Sequence, residues 1–389
     1  MAQLGSLRQE AHQRGTTMLD RLQDLVMQES PPRSLPELTA CADLLESWGN
    51  AALGRPARRI MLDGLPHLLW AAEDQRVLLL GHFDTVWPLG TTREWGFVLS
   101  GTIASGPGVC DMKAGIVQAL TALELMASTD HVGLLLTCDE ETGSEASRPM
   151  IEQQARRSGA VLVLEPGTET GELKVARRGG SMYRVTVHGR AAHAGVEPHL
   201  GVNAAVELAH HVLAVGEFGS TSTSVTPTLL TAGTMTNVVP ESATFCVDVR
   251  AWTRDELHRV DRQIRGLKPW LAEASLSFDG GISRYPLQTS VSLPLLKQAQ
   301  RAAEELGLPH ITGSAAPGAS DANFTGALGV PTLDGLGAVG GHSHARGEYA
   351  DISQMPDRAA LLSALVTRLV ARPGAGAATR RENTLTTVD

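Results

Sequence analysis

The chain is poor in cysteine, has no long apolar run and carries no excess of basic charge, and each absence removes a class of protein. Its four cysteines, Cys41, Cys110, Cys138 and Cys246, are scattered without a C-x-x-C pair. That spacing argues against a disulfide framework or a thiolate zinc site and leaves four small, reduced core residues. No stretch approaches the roughly 18 apolar residues that a membrane-spanning helix needs. Met1 to Glu10 is polar and lacks the apolar core of a secretory signal, so a cytoplasmic location is the default expectation. The formal net charge of −9 argues against broad nucleic-acid binding, which uses a basic surface. A local arginine cluster can still receive an anionic substrate. What remains is a chain of 389 residues, 42% apolar and 19% charged, long enough for two domains and a well-buried core.

Short apolar runs alternate with helical ones in the first half. Thr17 is placed to cap a helix carrying Met18, Leu22, Leu25 and Val26 on one face, ended by Ser30-Pro31-Pro32. A second helix is expected from about Leu35 to Trp48. Then come Val77–Leu80, an Ala114–Met126 helix, Gly133–Cys138, a helix near Arg148–Arg157 and Val161–Leu164. This alternation predicts an α/β domain with a parallel sheet and crossover helices. Near Arg178 the texture changes. Tyr183, Val185 and Val187 alternate, as do Phe245, Val247 and Val249, which suits half-buried antiparallel strands. With helices at Asn203–Leu213 and Asp255–Leu267, and strands at Thr228–Leu230 and Leu276–Phe278, residues 179–285 form an inserted α+β domain. Residues 1–178 and 286–389 form the discontinuous α/β domain, with a helix at Leu295–Leu306, a strand at Gly329–Leu333 and a helix at Pro356–Val370. The tail, 372–389, is expected to be disordered.

The chemistry sits where the runs end. Val77–Leu80 leads to Gly81-His82-Phe83-Asp84, Gly133–Cys138 to Asp139-Glu140-Glu141, and Val161–Leu164 to Glu165, while Asp111 lies between the first two. In open α/β sheets the carboxyl ends of the strands line the functional crevice. A lone strand-end Asp or His is usually a turn or cap residue, and Glu-Glu usually starts a solvated helix. Their joint occurrence at successive strand ends points instead to a metal site serving hydrolysis. His82 and Asp84 leave an extended chain on the same side, so Asp84 can fix the imidazole's tautomer. With the late histidine His344, these residues supply two clusters of nitrogen and oxygen ligands suited to zinc, with manganese or cobalt as substitutes. One of the adjacent glutamates can then bind metal while the other carries a proton. Two metals sharing ligands can activate a water and polarise a carbonyl.

These motifs resemble peptidase family M20, nearest to its glutamate carboxypeptidase (carboxypeptidase G2-like) branch. Gly81-His82-Phe83-Asp84-Thr85-Val86 is similar to the family's first ligand motif, and Gly106–Gly115 to its bridging-aspartate motif. Asp139–Ser144 is similar to the catalytic pair, Glu165-Pro166 to the next ligand, and Gly189–Gly195 to the signature of an inserted dimerisation domain. The resemblance implies a catalytic domain with a mixed, largely parallel sheet and a dimerising lid. It implies that His82, Asp111, Glu141, Glu165 and His344 bind two zinc ions, Asp111 bridging, followed by a cis peptide. Glu140 becomes the general base, Asp84 orients His82, and His193 reaches the partner subunit's site to stabilise the oxyanion. Gly341-His342-Ser343-His344 offers two histidines for the last ligand, and the usual spacing to Glu348 selects His344. Arg250 is the candidate grip on a substrate carboxylate. Asn237, Arg178 and Ser320, in the Gly318–Asn323 loop, are further substrate-binding candidates. Arg178 stands where the branch often has lysine, and Cys110 where a larger residue is frequent.

A different class has one motif in its favour. Gly335-Leu336-Gly337-Ala338-Val339-Gly340 matches G-x-G-x-x-G after an apolar run, as in dinucleotide-binding enzymes. The residues that follow, Gly341–Gly347, form no apolar helix face, so the glycines read as a flexible loop carrying a ligand. A binding-only homologue is a second alternative, against which Glu140, Asp84 and His193 all stand. The expected activity is release of a C-terminal amino acid, glutamate first, from an N-acyl or peptidyl compound with a free carboxylate. Deacylation of N-acyl amino acids, or dipeptide cleavage, is the runner-up.

Overall fold

The structure, a computed structural model, describes residues 2–371. The tail expected to be disordered, 372–389, lies outside the described residues. The chain divides into two compact units. One ends at Ala176 and resumes over Thr289–Ala316 and from Ser320; the other comprises Arg177–Gln288 and Pro317–Ala319.

The first unit is built on a six-stranded sheet in the order Arg58–Leu62, Leu65–Trp70, Val132–Thr137, Val77–His82, Ala160–Val163, Thr332–Leu333. The first two strands form an antiparallel hairpin, and Leu65–Trp70 pairs antiparallel with Val132–Thr137. The last four strands run parallel, so the sheet is mixed and largely parallel, the fold class expected. Every residue of Val77–His82, Val132–Thr137 and Ala160–Val163 is buried. Helices cover parallel strands on both faces, which is why these runs are continuously apolar rather than alternating. Leu79, Leu134 and Leu162 pack in one core with Ile116, Val117 and Leu120 of the Ala114–Glu124 helix. Each such side chain contributes about 1.5–3 kcal/mol on full burial. Within the Leu35–Leu53 helix, Gly49 gives Trp70 its seat: a Cβ there would strike the indole ring, whose Nε1 donates to Asn50 Oδ1 at 2.8 Å.

Two helical expectations are corrected. Thr17 caps nothing, because the helix starts at Gly15 and an Ala2–Gln13 helix precedes it. The Leu295–Leu306 helix instead spans Thr289–Glu305 and holds Pro294 in its second turn. There the ring removes the N–H that would ordinarily reach the Ser290 carbonyl, one helical bond lost close to the helix start.

The second unit is a four-stranded antiparallel sheet in the order Thr223–Ala232, Ser242–Ala251, Gly179–His188, Ser275–Arg284. Tyr183, Val185, Val187, Phe245, Val247 and Val249 share one buried face with helices Ala204–Gly216 and Arg254–Arg265. The helices begin where caps dictate. Asn203 Oδ1 accepts the N–H of Ala205 and Val206, and Thr253 Oγ1 that of Glu256. Leu257, Val260 and Ile264 then form the buried stripe. All four cysteines are free and buried. No helix among the described residues is long and apolar enough to cross a membrane.

Candidate metal centre

Strand order concentrates the acidic residues. Val77–His82 lies between Val132–Thr137 and Ala160–Val163, with His82 level with Thr137 and Leu80 with Val163. The parallel register brings His82, the Asp139–Glu141 turn and Glu165 to one edge. Asp111 arrives from an irregular turn, Val109–Lys113, in which Asp111–Met112 is cis. His344 arrives from the far end of the chain, in the left-handed conformation at φ 64°.

These side chains form two groups that share Asp111: His82, Asp111 and Glu165, and Asp111, Glu141 and His344. His82 Nε2 lies 3.4 Å from Asp111 Oδ1 and 3.5 Å from Glu165 Oε1. His344 Nε2 lies 3.6 Å from Asp111 Oδ2 and 3.2 Å from Glu141 Oε2. Among the described residues, buried His82 Nε2 and Glu141 Oε1 have no hydrogen-bond partner. Buried polar atoms are seldom left so, and two of them facing a shared carboxylate fit a cation as the missing partner. The electrostatics agree. Burial opposes charge on His82, but Asp111, Asp84 and Glu165 overcome it and push the imidazole well above its usual range. The Glu141 hydrogen bond raises His344 to about 9. Burial pushes Glu141 up to about 7, partly offset by His344. A cluster that holds protons this firmly is one that demands positive charge.

Neighbouring groups fix the ligands. His82 Nδ1–H donates to the main-chain carbonyl of Asp84 at 3.0 Å, which leaves Nε2 as the lone-pair nitrogen facing the site. The Asp84 carboxylate was expected to do this orienting. It lies slightly farther off, 3.4 Å from Nδ1, and accepts the N–H of Glu140 at 3.3 Å and of Glu141 at 3.0 Å. Asp84 therefore ties the His82 strand to the glutamate turn. Asp139 does not join either group; its Oδ2 accepts the amides of Ala146 and Ser147. Glu140 stands beside Glu141 but outside both groups. His342 also lies outside them and packs edge-on against Tyr349.

The glycine run is not a flexible loop. Leu336 N–H donates to Val163 O, Gly337 N–H to Glu165 O at 2.8 Å, and Gly167 N–H to Ala338 O at 2.8 Å, so the run lies along the segment that carries Glu165. A Cβ on Gly337 would strike Leu164 O and come within 2.9 Å of Glu165 O. The glycines permit close approach to a neighbouring backbone rather than to a pyrophosphate. Buried Arg358 fastens the run by donating to the carbonyls of Gly337, Gly335 and Gly171.

The remaining candidates are dispersed. Ser320 is fully buried, with its hydroxyl donating to Asp334 Oδ2 at 2.9 Å. In the second unit, Ala194 N–H donates to the carbonyl of Asn237, which places His193 and Asn237 on adjoining segments. His193 is exposed, and its Nδ1 accepts the N–H of Gly195 at 3.1 Å and Val196 at 3.2 Å. The neutral ring must then carry its proton on Nε2, directed outward as a donor. Arg250 makes a paired contact with Asp248, and the Arg178 guanidinium lies 5.0 Å from the centre of the Trp252 ring. Arg178 and Arg250 adjoin the Gly179/Ala251 end of the sheet, whereas His193 and Asn237 lie beyond its His188/Ser242 end. Nine strand steps, about 30 Å, separate the two ends. Sequence reasoning missed Arg358, whose only signal is an arginine directly before the apolar run Ala359–Leu362. It also missed any packing role for Glu348.

Residues 78–368 match the model of peptidase family M20/M25/M40. Carboxypeptidase G2 of Pseudomonas sp. (strain RS-16) is 30% identical over 315 residues, covering 76% of this chain and 74% of that protein. Succinyl-diaminopimelate desuccinylase of Granulibacter bethesdensis is 30% identical over 345 residues, 80% of this chain and 84% of that one. The solved structure of an M20 family metallo-carboxypeptidase, Sso-CP2 from Sulfolobus solfataricus, has a TM-score of 0.69 at 16% identity, over 90% of this chain and 99% of that one. A family match across most of the chain, on a fold that brings its acids and histidines together, is decisive: the chain belongs to peptidase family M20/M25/M40, a family of metal-dependent hydrolases.

Proposed function

We propose that the protein hydrolyses the amide bond on the amino side of a free-carboxylate amino acid, glutamate first, releasing it from N-acyl or peptidyl compounds. Two zinc ions per subunit, replaceable by cobalt or manganese, complete the site. The observation that carries the reading is the pair of ligand groups meeting at Asp111, with His82 Nε2 and Glu141 Oε1 left without partners. Ions held there would supply Lewis acidity, making water a nucleophile at neutral pH and polarising the carbonyl. Glu140, beside the ligands and outside both groups, takes a proton from the attacking water and returns it to the leaving amine. Asp84 holds that glutamate turn in register with His82. Arg250, its fork oriented by Asp248, receives the substrate carboxylate, with Arg178 at the same end of the sheet.

His193 donates from Nε2 to the developing oxyanion, with Asn237 beside it. A small substrate cannot reach both ends of a sheet about 30 Å long. We therefore infer a homodimer in which His193 and Asn237 of one subunit serve the site that the other subunit's Arg178 and Arg250 serve. A second reading, N-acyl-amino-acid deacylation, is favoured by the 30% identity to a desuccinylase over 80% of this chain.

The test is a panel of acyl-glutamates, N-acetyl amino acids and dipeptides, offered to protein reconstituted with zinc, cobalt or manganese. The first reading expects acyl-glutamates to give the highest kcat/KM. A preference for N-acetyl amino acids with other side chains would transfer the protein to the second. Inertness with every metal and substrate would remove both.

A further inference from the structure

Glu348 is almost completely buried, four residues after His344. Its carboxylate accepts four N–H groups: Gly108 and Trp87 Nε1 at 3.0 Å on Oε2, and Cys110 and Asp111 at 2.9 Å on Oε1. Its main-chain carbonyl accepts the Ser105 hydroxyl at 2.8 Å and the Gly106 N–H at 3.4 Å. The adjoining Tyr349–Asp351 strand pairs with Ile103–Ser105, which fixes the register. Glu348 shares a side with buried Ala350 and so points inward. Successive main-chain amides in an irregular turn form an anion-binding concavity. Here the turn bears the shared ligand Asp111, and its anion comes from the chain itself. Gly108 sits at φ 71° with no room for a Cβ beside Thr85. Toward His344, Glu348 N–H donates to Ala345 O and Ala345 N–H to His342 O, both at 3.0 Å. One short, internally bonded loop therefore carries a candidate ligand at one end and the anchor of another ligand's loop at the other.

We propose that Glu348 is a positioning residue that couples the two ligand groups, holding the Asp111 turn so that its carboxylate faces His82 and His344 together. This rests on the metal reading given above. Glutamine in its place keeps one acceptor oxygen but sets an NH2 against N–H donors; alanine leaves all four donors without their acceptor. Groups that orient metal ligands alter affinity by about 10–100-fold when removed.

The experiment titrates chelator-stripped protein with cobalt(II) chloride, following visible absorption, with far-UV circular dichroism and thermal unfolding of the apo forms alongside. Wild type is expected to take up cobalt. Glu348→Gln is expected to bind about 10-fold more weakly and Glu348→Ala up to about 100-fold, both with altered absorption bands. Trp87→Phe removes one donor of four and is expected to weaken binding by about threefold; it decides the matter if neither Glu348 variant folds. A merely structural role would lower the unfolding temperature while leaving affinity and spectrum as in wild type, and that result overturns the proposal. Failure of wild type to bind cobalt would instead overturn the metal reading.

Discussion

Gly337→Ala adds one methyl group where two backbones touch, and its effect can be worked out from the contacts. The new Cβ would overlap Leu164 O and lie 2.9 Å from Glu165 O and 3.1 Å from Glu165 C. Restoring ordinary contact requires the segments to part by about 1 Å, because a close-packed interior has no slack to take up the difference. The Gly337 N–H to Glu165 O bond, now 2.8 Å, and its neighbour Gly167 N–H to Ala338 O, also 2.8 Å, would then exceed hydrogen-bonding range. Overpacking costs about 1–3 kcal/mol and each lost bond about 1 kcal/mol. Replacing glycine returns about 0.4–1 kcal/mol by restricting the unfolded chain. The net loss is about 3 kcal/mol, a fall of roughly 5 °C in unfolding temperature for a unit of this size. Because Glu165 follows the same backbone, zinc affinity should fall as well. Differential scanning calorimetry on the apo protein and zinc content after dialysis measure the two effects. An unfolding temperature and zinc content equal to wild type would refute the close-approach reading. NAD binding by wild type, lost in the variant, would restore the dinucleotide one.

Four further outcomes follow from the same structure. Asp84→Asn sets an amide NH2 against one of the two turn N–H groups, and should weaken metal binding by about 10–100-fold and lower kcat even at saturating metal; unchanged values on both counts would remove Asp84 from the site. His344 is raised to about 9 by Glu141 and His82 is raised in the same direction by its carboxylate neighbours, so metal must compete with protons for these imidazoles. Metal affinity should therefore rise with pH toward about 9, with protons released that calorimetry in two buffers would count; no release would contradict the shifts. Glu256 is held down to about 2 by Arg259 and Thr223, so it stabilises the fold above its ordinary 4.5 and that contribution disappears as pH falls through about 2. Glu256→Gln should cost about 1 kcal/mol at pH 7 after allowance for solvent screening, and only a small fraction of that by pH 2, by urea unfolding. Mixing inactive His193→Ala and Glu140→Ala subunits should restore about a quarter of wild-type activity, since half the dimers would carry one complete site; no recovery after verified exchange would rule out action across the dimer.

The parallel strands were legible because their runs are buried on both faces and end in residues an apolar strand would not otherwise hold. The Arg58–Leu62 and Leu65–Trp70 hairpin was not. Arg58 and Arg59 open it in the exposed state and Pro66 and His67 interrupt its apolar pattern, so no period of two emerges. The Ala2–Gln13 helix escaped notice for a related reason. Its polar stretch has little apolar face of its own, and Ala11 joins a core with Ala303 and Ala360 that only the folded chain assembles. The inserted strands were found by alternation but drawn short, because exposed Met182 and the Gly280-Gly281 pair interrupt the pattern while main-chain pairing continues.

The candidate site divides along a similar physical line. Residues acting through their side chains at strand ends, His82, Glu141 and Glu165, carry chemical types rare in such places and so announce themselves. Residues acting on main-chain N–H and carbonyl groups do not, since every position offers those groups and no spacing singles one out. Glu348, Arg358 and the carboxylate of Asp84 all belong to this second kind. The glycine run shows how the two kinds can be confused. A motif that lets backbone approach a phosphate also lets backbone approach backbone, and only the position of Leu164 O and Glu165 O decides between them. The same contacts bear on specificity. A hydrolase is indifferent to what fixes Glu165, but a ligand displaced by even 1 Å loses its place in a shared centre. The position of Glu165 thus rests on Gly337 and Arg358, which act on main-chain groups rather than on a ligand's side chain.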